Sequence, residues 1–255
     1  AESDAVVVGE ALRGIGYDGP APVGGRPLDS YFELHIEQGP ELHAKGLPLG
    51  IVTGGYSSCG MSVVFTGRTA HSGPTPMAER RNALVAAARF IAAVDDLGRE
   101  MAPIGKTTAP RLVVWPNKPG IIPDHAVATV DMRHADPEVT ERMVRRARAA
   151  LADAAERANV EAEITAEWRF GTEVFSPELI DLVRAKAREQ GIEPPDMLSQ
   201  AGHDAYHMTK VTPTALLFSP CIDGISHNEA EDVDYEPTLA AVNVLLQAVL
   251  ARAEA

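Results

Sequence analysis

Four short stretches of this sequence place histidine beside other polar groups, and histidine is the side chain best suited to metal binding and proton transfer near neutral pH. They are ELHIEQGP (33–40), TAHSGPTP (69–76), AGHDAYH (201–207) and FSPCIDGISHNEAED (218–232). If the first is a strand, His35 and its flanking glutamates lie on one face and apolar residues lie on the other. Such a row, closed by Gln-Gly-Pro, indicates a strand end at a functional site.

Each stretch also has a purely structural interpretation. His35 could be a hydrogen-bonded strand residue, and His71 could belong to a turn or a helix cap. Asp204 could begin a helix and favour its N-terminal dipole, and SHNEAED could be a solvated acidic loop. The self-sufficient signatures HExxH, paired CxxC and a glycine-rich phosphate loop are absent from the sequence. What favours a site is that His35 and His227 both follow strand-like runs, so that one sheet edge could offer two neutral imidazoles to a divalent metal.

Composition limits the class of protein. The chain has 255 residues, 45% hydrophobic and 23% charged, with a formal net charge of −13. The negative charge argues against nucleic acid or an anionic membrane as a partner, and no apolar run approaches the roughly 18 residues of a membrane span. Two cysteines make no disulfide framework. These features, with no visible signal peptide, predict a globular cytoplasmic protein.

The pattern of elements predicts an α/β protein in which a small domain interrupts a larger one. A helix is expected over Ala5–Ile15 with Asp4 as its N-cap. The middle of the chain reads strand, helix, strand, strand, helix, strand, which is typical of the ferredoxin-like βαββαβ arrangement. Its first helix is expected to start at Pro76, a residue suited to a first turn.

The strings ELHIEQGP, TAHSGPTPMAERRNAL, AGHDA and GISHNEAE occur in that order. Together they resemble the metal-dependent amidohydrolases of the N-carbamoyl-L-amino-acid hydrolase, β-ureidopropionase and allantoate amidohydrolase group, relatives of the two-zinc aminoacylases and carboxypeptidases. The resemblance covers essentially the whole chain. It implies a discontinuous metallohydrolase catalytic domain, incomplete here, in pieces 1–55 and 171–255. An inserted ferredoxin-like dimerisation and lid domain is expected at 56–170.

The resemblance also implies roles for single residues. His35 and His227 resemble ligands of two different divalent ions, for which Zn, Mn, Co and Ni are all chemically suitable. His71 resembles the catalytic histidine that steadies the oxyanion, and Arg133 the arginine that pairs with the substrate carboxylate. The implied substrate-binding residues are Gln38, His71, Asn117, Arg133, Gly224 and Ser226.

Two departures from the family pattern matter. Where the family usually has Asn before the motif (V/I)(V/I)P, this chain has Gly120, and Asn117 three residues earlier is the alternative. The family's metal site also needs an upstream His-x-Asp and a Glu-Glu pair, but no His-x-Asp lies ahead of His35 and no Glu-Glu pair occurs in this sequence. We therefore expect the N-terminal part of the catalytic domain to be missing, and the chain alone to be inactive and to hold metal poorly or not at all.

The implied function is metal-dependent hydrolysis of the carbamoyl or amide C–N bond of N-carbamoyl-L-amino acids or similar ureido acids. The alternatives are an allantoate amidohydrolase, a related amidase or peptidase, or a non-catalytic dimerising fragment. The expected partners are a small ureido acid and a second copy of the chain, joined through the inserted domain.

Overall fold

The computed structural model describes residues 6–22 and 24–255. In chain order they form α1 (Val8–Gly14), β1 (Tyr31–Ile36), α2 (Glu41–Lys45), β2 (Gly50–Gly55), β3 (Ser57–Thr66), β4 (Ala70–His71), α3 (Ala83–Glu100), β5 (Lys106–Trp115), β6 (Ile121–Ile122), β7 (His125–His134), α4 (Pro137–Ala158), β8 (Glu161–Phe170), α5 (Pro177–Glu189), β9 (Asp196–Ser199), α6 (Asp204–Met208), β10 (Thr214–Ser219) and α7 (Tyr235–Ala253).

Strands from the two ends of the chain form one sheet, which we call the outer sheet. Its order is β1-β10-β2-β9, with β1 parallel to β10, β10 antiparallel to β2, and β2 parallel to β9. Every residue of β10 is buried, as expected for an apolar strand in the interior of a sheet. Helices α5 and α7 pack on this sheet and close its core.

Strands from the middle of the chain form a second sheet, the middle sheet, in the order β5-β7-β3-β8 with all pairs antiparallel. Alternate residues of β3 and β7 join the core beneath α3 and α4. Both helices therefore cover the same face, and the residues between those core positions face the other way. Arg133 lies on that second face. The strand order is that of a split βαβ unit.

The structure differs from the sequence-based expectations at several elements. The helix expected from Pro76 begins at Ala83, after a single 3-10 turn at Met77–Glu79. The short strands β4, β6 and β9 were not predicted. The first helix spans Val8–Gly14, and the predicted cap at Asp4 lies outside the described residues. None of the helices in the described part of the chain has both the length and the apolar content needed to cross a membrane.

Candidate active site

The candidate site lies where the carboxyl ends of two neighbouring parallel strands meet. In the pairing of β1 with β10, His35 is opposite Phe218, so the chain leaves both strands on the same side of the sheet. Ligand sites of open α/β sheets form at such ends. A cavity of about 800 Å³ opens there, and its lining includes Gln38, Lys106, Arg133, Gly202, Gly224, Ser226 and His227.

The turn after β1 is fixed by a helix cap. The Glu37 carboxylate accepts hydrogen bonds from the backbone N–H groups of Glu41 (2.9 Å) and Leu42 (2.7 Å). These are N–H groups of the first turn of α2, which have no partner within the helix. Glu37 therefore holds the Gln38-Gly39-Pro40 turn in place, and it also lines the cavity.

Gln38 joins this turn to the loop that follows β10. Its amide Nε2 donates to Ser226 Oγ at 3.2 Å and lies 3.4 Å from His227 Nε2. Because an amide nitrogen only donates, His227 Nε2 is the acceptor of that contact. On the other side of the loop, the His227 backbone N–H donates to Glu231 Oε2 at 2.9 Å. The structure thus brings together three of the predicted residues, Gln38, Ser226 and His227.

Gly224 allows the same two segments to approach each other. Its φ is +70°, and a Cβ built on it would lie 2.5 Å from the backbone N of Pro40. Only glycine fits such a position without a shift of the backbone. The structure therefore gives Gly224, predicted to bind substrate, a clear role in packing the cavity wall.

His35 lies in an adjoining cavity of about 510 Å³, which shares Gly202 with the first. Its Nδ1 is 2.8 Å from the carbonyl oxygen of Ile36. Because a carbonyl only accepts, Nδ1 carries the proton and the lone pair is on Nε2. A histidine that binds a metal through one ring nitrogen usually donates the N–H of its other ring nitrogen to a carbonyl or a carboxylate. His35 has this arrangement, with Nε2 left for a metal.

The uncharged ring of His203 packs against the ring of His35. The two rings meet edge to face with centroids 4.6 Å apart, and His203 Nε2 is 2.8 Å from Ser199 Oγ. Burial, together with the nearby His35, lowers the pKa of His203 to about 4. Its Nδ1 has no hydrogen-bond partner among the described residues and lies 3.7 Å from Glu33 Oε1.

Arg133 reaches the cavity from the middle sheet and is held on two sides. Its Nε donates to Asp131 Oδ1 at 2.5 Å, and its Nη1 donates to the carbonyl oxygen of Gln200 at 2.6 Å. Its guanidinium carbon also lies 5.3 Å from the centre of the Phe170 ring. A guanidinium fixed in this way is suited to oriented binding of a carboxylate.

The structure does not bring His71 and Asn117 to this cavity within one chain. His71, in β4, is paired with Ile121 of β6, close to the start of β7, whereas Arg133 is near the end of β7. Arg133 is eight residue steps beyond His125 along that strand, which is about 27 Å. At its own location, His71 Nδ1 accepts a hydrogen bond from the backbone N–H of Gly73 at 3.0 Å. The ring proton is therefore on Nε2, where it can be donated to a ligand.

A two-metal centre was implied by the resemblance, but the described residues alone do not fit one. Within residues 6–22 and 24–255, no group of three or more His, Cys, Asp or Glu side chains is arranged to hold a metal ion. A catalytic zinc site usually has about three protein ligands. His35 and His227, predicted for two different ions, would supply only one ligand each.

Sequence reasoning missed several residues of the site, notably Ser199, Gln200, Glu231 and Lys106. Glu231 lies in the segment that was also interpreted as a solvated acidic loop. Hydrogen bonds from the His227 backbone N–H and from Ser226 hold its pKa below the usual value. The other alternative, a helix start at GHDA, is what the structure has, because α6 begins at Asp204.

Comparison with known proteins gives a consistent family. The model of peptidase family M20/M25/M40 matches residues 7–251. An N-carbamoyl-L-amino-acid amidohydrolase from Rhizobium meliloti is 38% identical over 246 residues, and a probable allantoate deiminase from Oryza sativa subsp. japonica is 32% identical over 243. The crystal structure of an amidase of the hydantoinase/carbamoylase family from Burkholderia vietnamiensis superimposes with a TM-score of 0.92 at 41% identity.

The matches cover nearly all of this chain but only part of each relative. The match to the Rhizobium meliloti enzyme covers 96% of this chain and 59% of that enzyme. The match to the rice protein covers 84% of this chain and 49% of that protein, and the match to the Burkholderia amidase covers 98% and 61%. The chain therefore spans about half to three fifths of the length of these relatives.

Proposed function

The chain belongs to peptidase family M20/M25/M40, and on that premise we propose that it contributes to the active site of a metal-dependent amidohydrolase. The proposed substrates are N-carbamoyl-L-amino acids or similar ureido acids. Addition of water across the carbamoyl C–N bond releases the amino acid, ammonia and carbon dioxide. The observation that carries the proposal is the single cavity lined by Gln38, Arg133, Ser226 and His227. The similarity to the Rhizobium meliloti enzyme supports this class of reaction.

In this proposal each residue of the site has one role, which follows from the hydrogen bonds that orient its side chain. Arg133 grips the substrate carboxylate, with its orientation set by Asp131 and Gln200. The Gln38 amide orients the ureido group next to Ser226. His71 donates its Nε2 proton to the oxyanion, a type of contact worth roughly 3–4 kcal/mol in comparable sites. His35 and His227 would each supply one ligand to one of two divalent ions, which would polarise the ureido carbonyl; the described residues group no further ligands with either histidine.

We further propose that residues 56–170 are an inserted lid through which two copies of the chain dimerise. Strand β5 is an edge of the middle sheet, and its side chains Leu112, Val113 and Trp115 are exposed. Exposed apolar edge strands readily pair with another chain. Because His71 and Arg133 lie at opposite ends of the middle sheet, a site that contains both takes them from two different copies.

Allantoate is the second candidate substrate, and the similarity to the rice protein favours it. Allantoate also carries a ureido group and a carboxylate, so the proposed roles of Arg133 and Gln38 apply to it unchanged. Ammonia release from allantoate and from a panel of N-carbamoyl-L-amino acids separates the two candidates.

The test uses the longest gene product that contains this chain, with the Arg133→Met variant and an Arg146→Met control. Arg146 is on α4 and pairs with Glu100 at the surface. We expect Arg133→Met to lower kcat/KM by about 30-fold or more, because a charge-assisted pair is lost, and the control to stay near wild type. No ammonia from any compound would reject the proposal and leave a non-catalytic binding role.

Metal content is measured on the same proteins and on the 255-residue chain. We expect that chain, taken alone, to hold little metal and to release no ammonia, since His35 and His227 offer one ligand each. Two tightly held ions per chain in elemental analysis would mean that the sequence contains ligands that the structure does not group together.

Mixing two inactive variants tests the dimer. If each site combines Arg133 of one copy with His71 of the other, His71→Ala and Arg133→Ala chains should restore activity when refolded together. About a quarter of the wild-type activity is expected, because about half of the dimers are mixed and each of these has one intact site. No recovery, or a monomer in light scattering at micromolar concentration, would contradict the dimer.

A further inference from the structure

Lys106 is a second cation at the same wall of the cavity as Arg133. It is the first residue of β5, directly opposite Arg133 in the β5–β7 register. Directly opposed residues of an antiparallel pair project from the same face, with Cβ atoms about 5 Å apart. Both side chains line the 800 Å³ cavity.

Two acidic residues, Glu37 and Glu41, also line this cavity, but they and Asp131 are each engaged by other groups. Asp131 pairs with Arg133, Glu41 pairs with Lys45 at 2.5 Å, and Glu37 caps α2. Within residues 6–22 and 24–255, the lysines that form ion pairs are Lys45 and Lys186. Lys106 is not among them, so this residue of the cavity lining forms no ion pair with a carboxylate in the described structure.

Two like charges directly opposite each other destabilise a sheet. Asp131 neutralises the charge of Arg133, so Lys106, Arg133 and Asp131 together keep one excess positive charge. An anion bound in the cavity would remove the repulsion that remains. The charge of Lys106 therefore lowers the stability of the free protein and raises its affinity for an anionic ligand.

The orientation of Arg133 indicates that the two cations bind different groups. Across the open face of the middle sheet, the residues of one row are Lys106, Arg133, Ser58 and Phe170. Arg133 leans over Phe170, which directs its head away from Lys106. A carboxylate bound by Arg133 then lies on the Phe170 side of Arg133, away from Lys106. The Lys106 ammonium group can therefore bind a second anionic group.

We propose that Lys106 is a specificity-determining residue that selects ureido acids with a second carboxylate, such as N-carbamoyl derivatives of acidic amino acids. This inference rests on the proposed function and narrows its substrate class. Arg133 holds the α-carboxylate, and Lys106 holds the carboxylate of the side chain.

The test compares N-carbamoyl-L-aspartate with N-carbamoyl-L-asparagine, which has the same shape without the second charge. Binding to the 255-residue chain is measured by calorimetry, because it needs neither metal nor turnover, and kcat/KM is measured on the longest gene product. The variants are Lys106→Met, Lys106→Arg and the control Lys186→Met on α5. Lys106 is exposed on an edge strand, so its loss should leave the fold intact.

We expect wild type and Lys186→Met to prefer the aspartate derivative by about tenfold, the contribution of one charge-assisted hydrogen bond. Lys106→Met should abolish the preference and leave the asparagine derivative within about twofold of wild type, and Lys106→Arg should restore it. Equal losses for both compounds would mean that the two cations share one carboxylate. That result, or hydrolysis of neutral derivatives with no preference for the aspartate derivative, would overturn the role of Lys106 and leave the proposed function standing. Failure to bind or cleave any ureido acid would overturn it together with the proposed function.

Discussion

At the scale of single residues, the loops around the cavity adopt backbone conformations that most residues avoid. Gln38, Asp223 and His227 have φ of 59°, 54° and 55°. Non-glycine residues with positive φ are uncommon, and they persist where surrounding contacts hold them, often at functional sites. Here those contacts are the Gln38–Ser226 bond and the bond from the His227 backbone N–H to Glu231. Gln38, Ser226 and His227 thus both line the cavity and take part in the bonds that hold its wall, and Glu231 supports them from outside the lining.

Gly224→Ala tests how closely the two loops must approach. The added methyl group meets both a left-handed φ and the backbone of Pro40. Gly191, with φ +77° and nothing within 4 Å of an added Cβ, is the matched control that adds only the conformational cost. We expect Gly191→Ala to lower the free energy of unfolding by about 1 kcal/mol and Gly224→Ala by at least about 2 kcal/mol. Urea denaturation measures both, and equal losses would show that the approach of the loops is not tight.

Motifs in the sequence predicted which residue types belong to the site, and the structure adds how they are connected. Alternation predicts that Glu33 and His35 share one face of β1, and both line one cavity, but it cannot show that Glu37 is used to cap α2. Lys106 had no sequence signature, because a lone lysine in a strand is usually solvated. Its proposed role depends on the register of β5 against β7, which arises only when distant segments pair.

At the scale of elements, α3 shows where local pattern is overruled by tertiary contacts. Residues 80–82 are kept extended, because Arg81 accepts from the backbone N–H of Arg68 and Ala83 donates to Pro123. The Arg80 guanidinium also donates to the carbonyls of the turn around His71. The helix can therefore start only at Ala83, where the side chain of Asn82 accepts from the backbone N–H of Val85 at 3.2 Å.

Asn82→Ala measures the value of that cap. Its loss should cost about 1 kcal/mol of stability, because a backbone N–H of the first turn loses its acceptor. Asn243→Ala, at an exposed position within α7, is the same substitution without a cap and should gain about 0.5 kcal/mol from helix propensity. Shifts of the urea midpoint at constant slope report both changes. Shifts of the same sign would mean that the cap does not support α3.

At the scale of the whole molecule, the two sheets differ in how well their cores are covered. In the middle sheet, α3 and α4 close a core whose β3 and β7 residues are almost completely buried. Both sheets have edge strands, so the difference lies in the helices that cover them. The outer side of α7 exposes a stripe of apolar residues, namely Leu239, Val242, Leu246, Val249 and Leu250. The long helices and apolar strands were readable from their periodicity, whereas β9, with four residues, depends on pairing with β2.

This difference predicts that the outer sheet opens before the core of the middle sheet. The chain has one buried cysteine within the core of the middle sheet and one beside Gly39, at the end of the outer sheet. Cys59 lies in β3, and Cys221 lies just after β10; both are fully buried. Burial also raises the pKa of Cys59 to about 11, so its thiol should resist alkylation while the middle sheet is folded. Local opening energies follow the buried apolar contacts of each region, so increasing urea with iodoacetamide present should label Cys221 at a lower concentration than Cys59. Mass spectrometry of the two cysteine peptides gives both curves, and the fully denatured chain supplies the reference labelling rates. Labelling of Cys59 first, or of both at one midpoint, would contradict the predicted order and indicate a single cooperative unit.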